Sequence, residues 1–451
     1  MKTTSLRLKV PYPMTFILIV VTYFMMSYHY WFVKLLGGYV IRVWIPIIAV
    51  SWLYFIKRLI YHEKPAQNRK VFFLNVLIFV YYFFVTISIL RNEEDVISVG
   101  KYLLYFGGSF LLYIVILGTY RSNEAIEKTI KYLYFIAIML SLYIIIFFAI
   151  VKPKAYDVFH MDTNVGELGL DTLATFVSEG ELIVRKTIPG INANSSAYML
   201  FPMILVGIYF FKKSTRTVKY LYLTGTVLLL YTLGSILSRG SFIALFGALI
   251  YLSFKKWFNW KQISVGILLF VFLFPFKEDI YLRMLEPLSY YFNIGSDYIQ
   301  VEKISTARFE TIRDTLDIIK EIPLIGIGMT NFNNRQLNLF DTPTTEHNEY
   351  IRMIAERGIF SFLSFIFIIG LLIYLFYRVL ENRKSQNIYQ KDLGELFAAG
   401  LIGFIIHLNF APPYNYLWIW LAFSVAWIRN LGLTNPTLLR RLRENEKRFN
   451  P

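Results

Sequence analysis

Long apolar runs separated by short polar segments make up most of the chain. A helix needs about 20 apolar residues to cross the hydrocarbon core of a membrane, because no water is present there to satisfy its backbone. About twelve runs reach or approach this length. They occupy residues 14–33, 39–56, 71–90, 98–119, 132–151, 195–211, 220–238, 240–254, 262–276, 359–377, 393–410 and 414–428. The pattern predicts an all-α fold, a polytopic transmembrane helical bundle that forms one integral membrane domain over residues 1–451.

Basic residues concentrate in alternate connections between these runs. If the N-terminus lies in the cytoplasm, 28 of the 46 Lys and Arg residues fall in cytoplasmic segments, as the positive-inside rule requires. KRLIYHEKPAQNRK, from Lys57, is such a segment, whereas RNEEDVIS, from Arg91, is an acidic outer connection. We therefore predict a multi-pass protein of the plasma (inner) membrane with both termini in the cytoplasm and a basic cytoplasmic tail at residues 429–451. The net charge of +16 then indicates membrane lipids as partners and no nucleic acid.

Two polar segments are too long to be turns between spans. They cover residues 152–194 and 277–358, and the predicted orientation makes both extracytoplasmic. The chain has no cysteine, which excludes disulfides and thiolate catalysis, and it has no phosphate-binding glycine loop and no HExxH motif. We therefore predict neither a metal nor another cofactor, and we expect the chemistry in the large helical loop at 277–358.

This larger loop contains a predicted amphipathic helix in ARFETIRDTLDIIKEIP, which starts at Ala307. Helical spacing places four apolar residues on one face: Phe309, Ile312, Leu316 and Ile319. Arg308 and Arg313 lie on the polar face, where they are either substrate-binding cations or simply solvated. Gly326 and Gly328 follow, and they favour a tight turn or a close approach of the backbone to a ligand.

A second predicted helix in this loop carries a histidine near its start. Thr344 or Thr345 is the expected N-cap, and Gly358 marks the end. His347 then lies in the first turn, where the positive end of the helix dipole favours the neutral imidazole, the form that accepts a proton. His347 is therefore the candidate general base, although a histidine near a helix start is more often a surface or capping residue. The same helix end would also accommodate an anion such as phosphate.

Other candidates lie at the predicted outer ends of spans. Arg239 sits between two apolar runs, where it binds either the phosphate of a substrate or the phosphate of a lipid. Asn192 and Asn194 precede the sixth span, and their amides either cap that helix or bind sugar hydroxyls. His407, near the end of the eleventh span, rivals His347, but a hydrogen bond to a neighbouring helix is the commoner role of such a histidine.

Three segments, in this order, resemble the O-antigen ligase and Wzy-type polymerase superfamily of bacterial polysaccharide assembly. They are SRGSFIALFGALI from Ser238, ARFETIRDTLDIIKEIPLIGIGMTNF from Ala307 and EHNEYIRMIAERGIFSFLSF from Glu346, with the weaker GINANSSAYML from Gly190 ahead of them. The resemblance covers roughly residues 187–375. The family often has an aromatic residue shortly after its first loop arginine, where this chain continues ETIRDTLDII, so the helix is expected to pack differently.

The resemblance implies a GT-C-like, metal-independent, inverting glycosyltransferase with a lipid-linked donor. The donor would be an undecaprenyl-diphosphate-linked glycan, and the acceptor a glycan or glycolipid. His347 would take the proton from the acceptor hydroxyl, while Arg239 and Arg308 would hold the diphosphate. Cations preplaced at low dielectric stabilise the charge that develops on such a leaving group. The remaining substrate-binding candidates are Arg313, Asn348, Asn192 and Asn194.

Several functions share these features. A Wzy-type polymerase of O-antigen, capsule, exopolysaccharide or teichuronic acid fits the same motifs as a ligase. A polysaccharide or lipid transporter or flippase would also have many spans, but it would carry charged residues along a pathway through the membrane, and the predicted spans are nearly free of charge. A purely structural membrane protein would transfer no glycan.

Overall fold

The computed structural model of the protein describes fifteen stretches of the chain. They are residues 69–92, 96–120, 122–151, 175–178, 181–184, 193–236, 238–259, 262, 315–317, 319–320, 324–328, 331–332, 348–381, 388–410 and 414–433. The predicted spans at 14–33 and 39–56 lie outside the described residues, as does the predicted span at 262–276 apart from residue 262. Residues 434–451 of the predicted basic tail also lie outside them.

Nine helices occur in the described part of the chain, each at a predicted span. They are α1 (Arg69–Asn92), α2 (Val96–Thr119), α3 (Asn123–Val151), α4 (Ala193–Lys213), α5 (Arg216–Ile236), α6 (Arg239–Phe254), α7 (Glu349–Glu381), α8 (Ile388–His407) and α9 (Tyr414–Leu433). By length and composition, four segments of the described residues can cross a membrane: Val71–Asn92, Asn123–Ile150, Ser196–Lys213 and Glu349–Glu381. The helical prediction is therefore confirmed for these nine regions, whereas the total of about twelve membrane crossings stays a prediction.

The first long loop contains two short strands that its sequence was not expected to form. β1 (Thr175–Ser178) and β2 (Glu181–Val184) pair in antiparallel, with Thr175 opposite Val184 and Ser178 opposite Glu181. β-branched and aromatic residues on both sides of a two-residue connection that contains Gly180 are the local signal for such a hairpin. Among the residues that the structure describes, the departure from an all-α fold is confined to this loop.

Helix α9 occupies the centre of the bundle. Its tryptophans Trp418, Trp420 and Trp427 are fully buried. Two glycines of α8 make room for them, because a Cβ at Gly400 would collide with the Trp420 ring and a Cβ at Gly394 would collide with the Trp427 ring. The close packing of α8 on α9 therefore depends on small residues, as is typical of helix contacts in membranes.

Large apolar side chains also point outward from the bundle. Phe79 of α1 is 60% exposed, Met139 of α3 is 65% exposed and Phe367 of α7 is 63% exposed. A helix that is apolar on its outer face as well as on its packed face is suited to a lipid environment. The protein is thus a helical membrane protein.

Side-chain contacts at the two ends of the bundle agree with the predicted alternation of the spans. At one end Lys212 binds Asp392 at 2.8 Å, and the indole nitrogen of Trp257 donates to Glu395 at 2.5 Å. At the other end Glu349 contacts Leu408, and Ser241 contacts His407. Each contact joins two segments to which the charge pattern assigns the same side of the membrane. We call the second end, which holds Ser88, Ser241, Glu349 and His407, the site end.

Candidate functional site

Helix α7 consists of two segments that meet at Gly358. This glycine has φ 81° and ψ 169°, which interrupts the helical conformation between residues 357 and 359. The first segment, 349–357, is the predicted loop helix, and the second, 359–381, is the predicted span. The expectation that Gly358 ends the loop helix is therefore confirmed.

The start of α7 lies later than its sequence suggested. Asn348 is the N-cap: its Oδ1 accepts hydrogen bonds from the backbone N–H groups of Tyr350 at 3.0 Å and Ile351 at 3.2 Å. The expectation of a cap at Thr344 or Thr345, with His347 in the first turn, is wrong, since the first helical residue is Glu349. Asparagine and threonine both cap helices well, so local sequence alone did not choose between these positions.

The segment 324–328 is interlocked with the end of this first α7 segment. Ile327 N donates to Ala355 O at 2.9 Å, and Gly328 N donates to Glu356 O at 3.0 Å. Gly326 has φ 78°, and a Cβ there would lie 2.5 Å from Glu356 O. The close backbone approach expected of Gly326 and Gly328 is therefore present, and its partner is the protein's own helix.

An ion cluster is buried where α7 meets α1, and it consists of Tyr81, Glu349, Arg352, Glu356 and Arg357. Arg357, 2% exposed, donates to Glu349 at 2.9 Å and to the Tyr81 hydroxyl at 3.1 Å. Arg352 Nε donates to Glu356 at 2.6 Å. Buried charges are stable only when they are paired in this way, so the cluster fixes the orientation of the α7 segment. The sequence analysis missed it, although the spacing of Arg352 and Glu356, four residues apart, was a signal for one of its pairs.

Helix α1 holds the other side of the same segment. Ser88 Oγ donates to Glu356 O at 2.9 Å, and Asn92 Nδ2 donates to Gly326 O at 3.1 Å. The predicted loop helix is therefore a fixed part of the bundle at the site end.

The end of α8 connects two helix starts. We call residues 405–410 the α8 end turn. Leu408 O accepts from Glu349 N at 2.8 Å, and Ile405 O accepts from the Tyr350 hydroxyl at 2.9 Å. A hydrogen bond of 2.8 Å joins His407 Nε2 to Ser241 Oγ in the first turn of α6.

Helix α4 approaches the same turn. The ring of Tyr198 packs edge-on against the His407 imidazole, with 4.3 Å between the ring centres. Tyr198 lies five residues after the first residue of α4, Ala193. The N-termini of α6 and α7 and the second turn of α4 therefore lie at the α8 end turn, and the two N-termini contribute the partial positive charge of their helix dipoles.

Arg239 is the first residue of α6 and is half-buried. A cation at a helix N-terminus is unfavourable by about 0.3 to 1 kcal/mol, because it adds to the positive end of the dipole. The next residue, Gly240, packs so closely on the α8 end turn that a Cβ would lie 2.6 Å from Phe410 Cβ. Positive charge is therefore concentrated here, in a place suited to an anionic group.

The structure locates only part of the predicted site. It brings Arg239 and Asn348 to the same α8 end turn. The described residues do not include His347, Arg308, Arg313 and Asn192. Asn194 is the second residue of α4, and its side chain is also outside the description. Within the described residues no group of three or more acidic or histidine side chains is arranged to bind a metal ion.

These features define an integral membrane protein in which the starts of α6 and α7 meet at one end of its helical bundle, with Arg239 half-buried beside them. Residues 224–366 match the family model described as O-antigen ligase. The resemblance to the O-antigen ligase and polymerase superfamily is thereby confirmed, and the match supports a function of the ligase or polymerase type. A comparison with curated proteins finds no match.

The matched segment includes five candidate site residues: Arg239, Arg308, Arg313, His347 and Asn348. It also includes α6, the interlocked segment 324–328 and the first segment of α7. Three further candidates lie outside it: Asn192, Asn194 and His407. The elements that converge at the α8 end turn are therefore drawn partly from the matched segment and partly from the rest of the chain.

Proposed function

We propose that the protein is an inverting glycosyltransferase that moves a glycan from an undecaprenyl-diphosphate carrier to a sugar hydroxyl of an acceptor, on the outer face of the plasma membrane. The observation that supports this most is the meeting of Arg239 and Asn348 at the α8 end turn. Asn348 is the immediate chain neighbour of His347. Two residues about 110 positions apart in sequence, which the family resemblance assigns to one site, thus belong to elements that both contact the α8 end turn.

In the proposed reaction His347 acts as the general base. It takes the proton from the acceptor hydroxyl while the hydroxyl oxygen attacks the anomeric carbon of the donor sugar. The bond from that carbon to the diphosphate oxygen breaks, and the electron pair leaves with undecaprenyl diphosphate. A positioned base contributes roughly 10²- to 10⁴-fold to such a step.

The leaving diphosphate requires positive charge at the moment of bond cleavage. Arg239, with the helix dipoles around it, supplies charge that is already in place, and Arg308 and Arg313 are proposed to complete the set. A guanidinium binds two phosphate oxygens at once, which fixes the leaving group as well as stabilising it. Asn348, Asn192 and Asn194 are proposed to contact the substrates, although the Asn348 Oδ1 already caps α7. The reaction is proposed to need no metal ion.

The decisive experiment is incubation of purified protein with undecaprenyl-diphosphate oligosaccharide and candidate acceptors, followed by sizing of the products. A single addition to the acceptor indicates a ligase, and a ladder indicates a polymerase. Movement of the lipid-linked glycan across vesicles without any new glycosidic bond would instead support the flippase alternative and overturn the proposal.

His347→Ala tests the proposed base in the same assay. The variant is expected to insert and fold as the wild type does and to lose transfer by at least about 100-fold. His62→Ala is the matched control, since His62 lies in a predicted cytoplasmic connection and should be replaceable without loss. Wild-type product levels from His347→Ala would refute the role of this imidazole.

A further inference from the structure

We infer that His407 is a positioning residue that fixes the position of Arg239 relative to the start of α7. The inference rests on the proposed function, because it concerns the geometry of that same site. It assigns to the α8 end turn a role that the O-antigen ligase match does not cover, since residue 407 lies beyond the matched segment.

His407 is in the interior of the site end and is only 1% exposed. Its imidazole packs edge-on against Tyr198 and lies parallel to Phe201, at ring-centre distances of 4.3 and 6.3 Å. These contacts hold the ring in one orientation. They direct Nε2 toward α6, where it forms the hydrogen bond of 2.8 Å with Ser241 Oγ.

Ser241 transmits this contact to the start of α6. It is fully buried, it lies two residues after Arg239, and its hydroxyl also contacts Ser238 Oγ at 3.1 Å. The two serines flank Arg239 on either side in sequence. A hydrogen-bonded row from His407 through Ser241 to Ser238 therefore fixes the first turn of α6, which carries the arginine.

The neighbouring residue, Leu408, fixes α7 in the same way. Its carbonyl accepts the hydrogen bond from Glu349 N, next to the cap Asn348. The two residues that hold α6 and α7, His407 and Leu408, are thus adjacent in sequence. One rigid turn therefore sets the distance between the start of α6 and the start of α7. The distance between Arg239 and the proposed base, His347, therefore depends on this turn. A misplacement of 1 Å can lower the reaction rate by about 100-fold.

The burial of His407 distinguishes this role from direct catalysis. A side chain that is 1% exposed and enclosed by Tyr198, Phe201 and Ser241 does not reach a substrate from the surface. Its effect on the reaction must pass through the groups that it holds. This makes a specific prediction about coupling between His407 and Arg239.

The test is a double-mutant cycle in glycan transfer. His407→Phe keeps an aromatic ring but removes the hydrogen bond, and it is expected to lower kcat by about 10- to 100-fold with little change in the KM of the acceptor. In an Arg239→Ala background the same substitution should cause no further loss, since the group that it positions is absent. Equal fold losses in both backgrounds would show a general structural effect and overturn the inference.

Two further variants keep the test decisive if His407→Phe does not fold. His407→Gln retains a hydrogen-bonding group and should recover part of the activity. Ser241→Ala removes the same hydrogen bond by deleting one oxygen, and it should reproduce the loss. The matched control is Ser424→Ala, because this buried hydroxyl donates a hydrogen bond to Trp420 O in its own helix. Full activity of Ser241→Ala overturns the inference alone, whereas absence of transfer by the wild-type protein overturns the proposed function with it.

Discussion

Replacing Gly358 by alanine should destabilise the site end more than any comparable change in α7. Gly358 has φ 81° and ψ 169°, a conformation essentially restricted to glycine, and a residue with a Cβ adopts it at a cost of about 1 to 3 kcal/mol. The new methyl group would also lie 2.5 Å from Ile325 Cα, in contact with backbone that cannot rotate away. The segment 324–328 must therefore move.

Movement of this segment would break its two hydrogen bonds to the end of the α7 segment. Each is worth about 0.5 to 1.5 kcal/mol net. Together with the backbone strain, the expected loss of unfolding free energy is about 2 to 6 kcal/mol. Helix 349–357 would lose one of its attachments at the same time, so glycan transfer should fall even at temperatures where the protein stays folded.

Thermal unfolding in detergent is monitored by tryptophan fluorescence, and glycan transfer is measured in parallel. Gly370→Ala is the matched control, since Gly370 lies in the same helix and a Cβ there meets nothing within 4 Å. That variant should unfold at the wild-type temperature or slightly above it, because alanine favours a helix over glycine by about 0.5 to 1 kcal/mol. If Gly358→Ala and Gly370→Ala unfold alike, the interlock does not stabilise this part of the fold.

Two other predictions concern the chemistry. Arg239→Lys keeps the positive charge but should lose most of the activity, because an ammonium cannot form the bidentate contact with phosphate; unchanged kcat/KM would count against diphosphate binding at this position. EDTA should leave the activity of the purified protein unchanged, since the proposed leaving-group stabilisation comes from guanidinium groups and helix ends; inhibition that divalent ions reverse would indicate a metal-assisted mechanism.

The ion cluster buries paired charges in a membrane protein whose predicted spans carry almost none. The predicted spans are nearly free of charge, yet Arg357 and Glu349 lie fully buried at the junction of α7 and α1. The pairing of two carboxylates with two guanidinium groups makes the cluster nearly neutral as a whole. Its bond to Tyr81 holds the predicted loop helix against α1.

Local sequence determined much of the fold. Apolar runs located all nine described helices, because a helix in lipid must be apolar over most of its length. Gly326, Gly328 and Gly358 marked three of the described positions where the backbone takes a positive φ, because glycine has no Cβ to oppose it. Residue type and order alone identified Arg239 and the EHNEY segment as candidates for the functional site.

Only the tertiary structure decided how these pieces are joined. The ion cluster and the α8 end turn depend on contacts between residues far apart in the chain: Ser241 and His407 are separated by 166 positions, and Tyr81 and Arg357 by 276. Hydrophobic periodicity reports which face of a helix is apolar, but many partners satisfy the same face, so it carries no information on which helix packs against which. The chain thus specified its helices locally, while packing brought the arginine and the neighbour of the histidine to one turn.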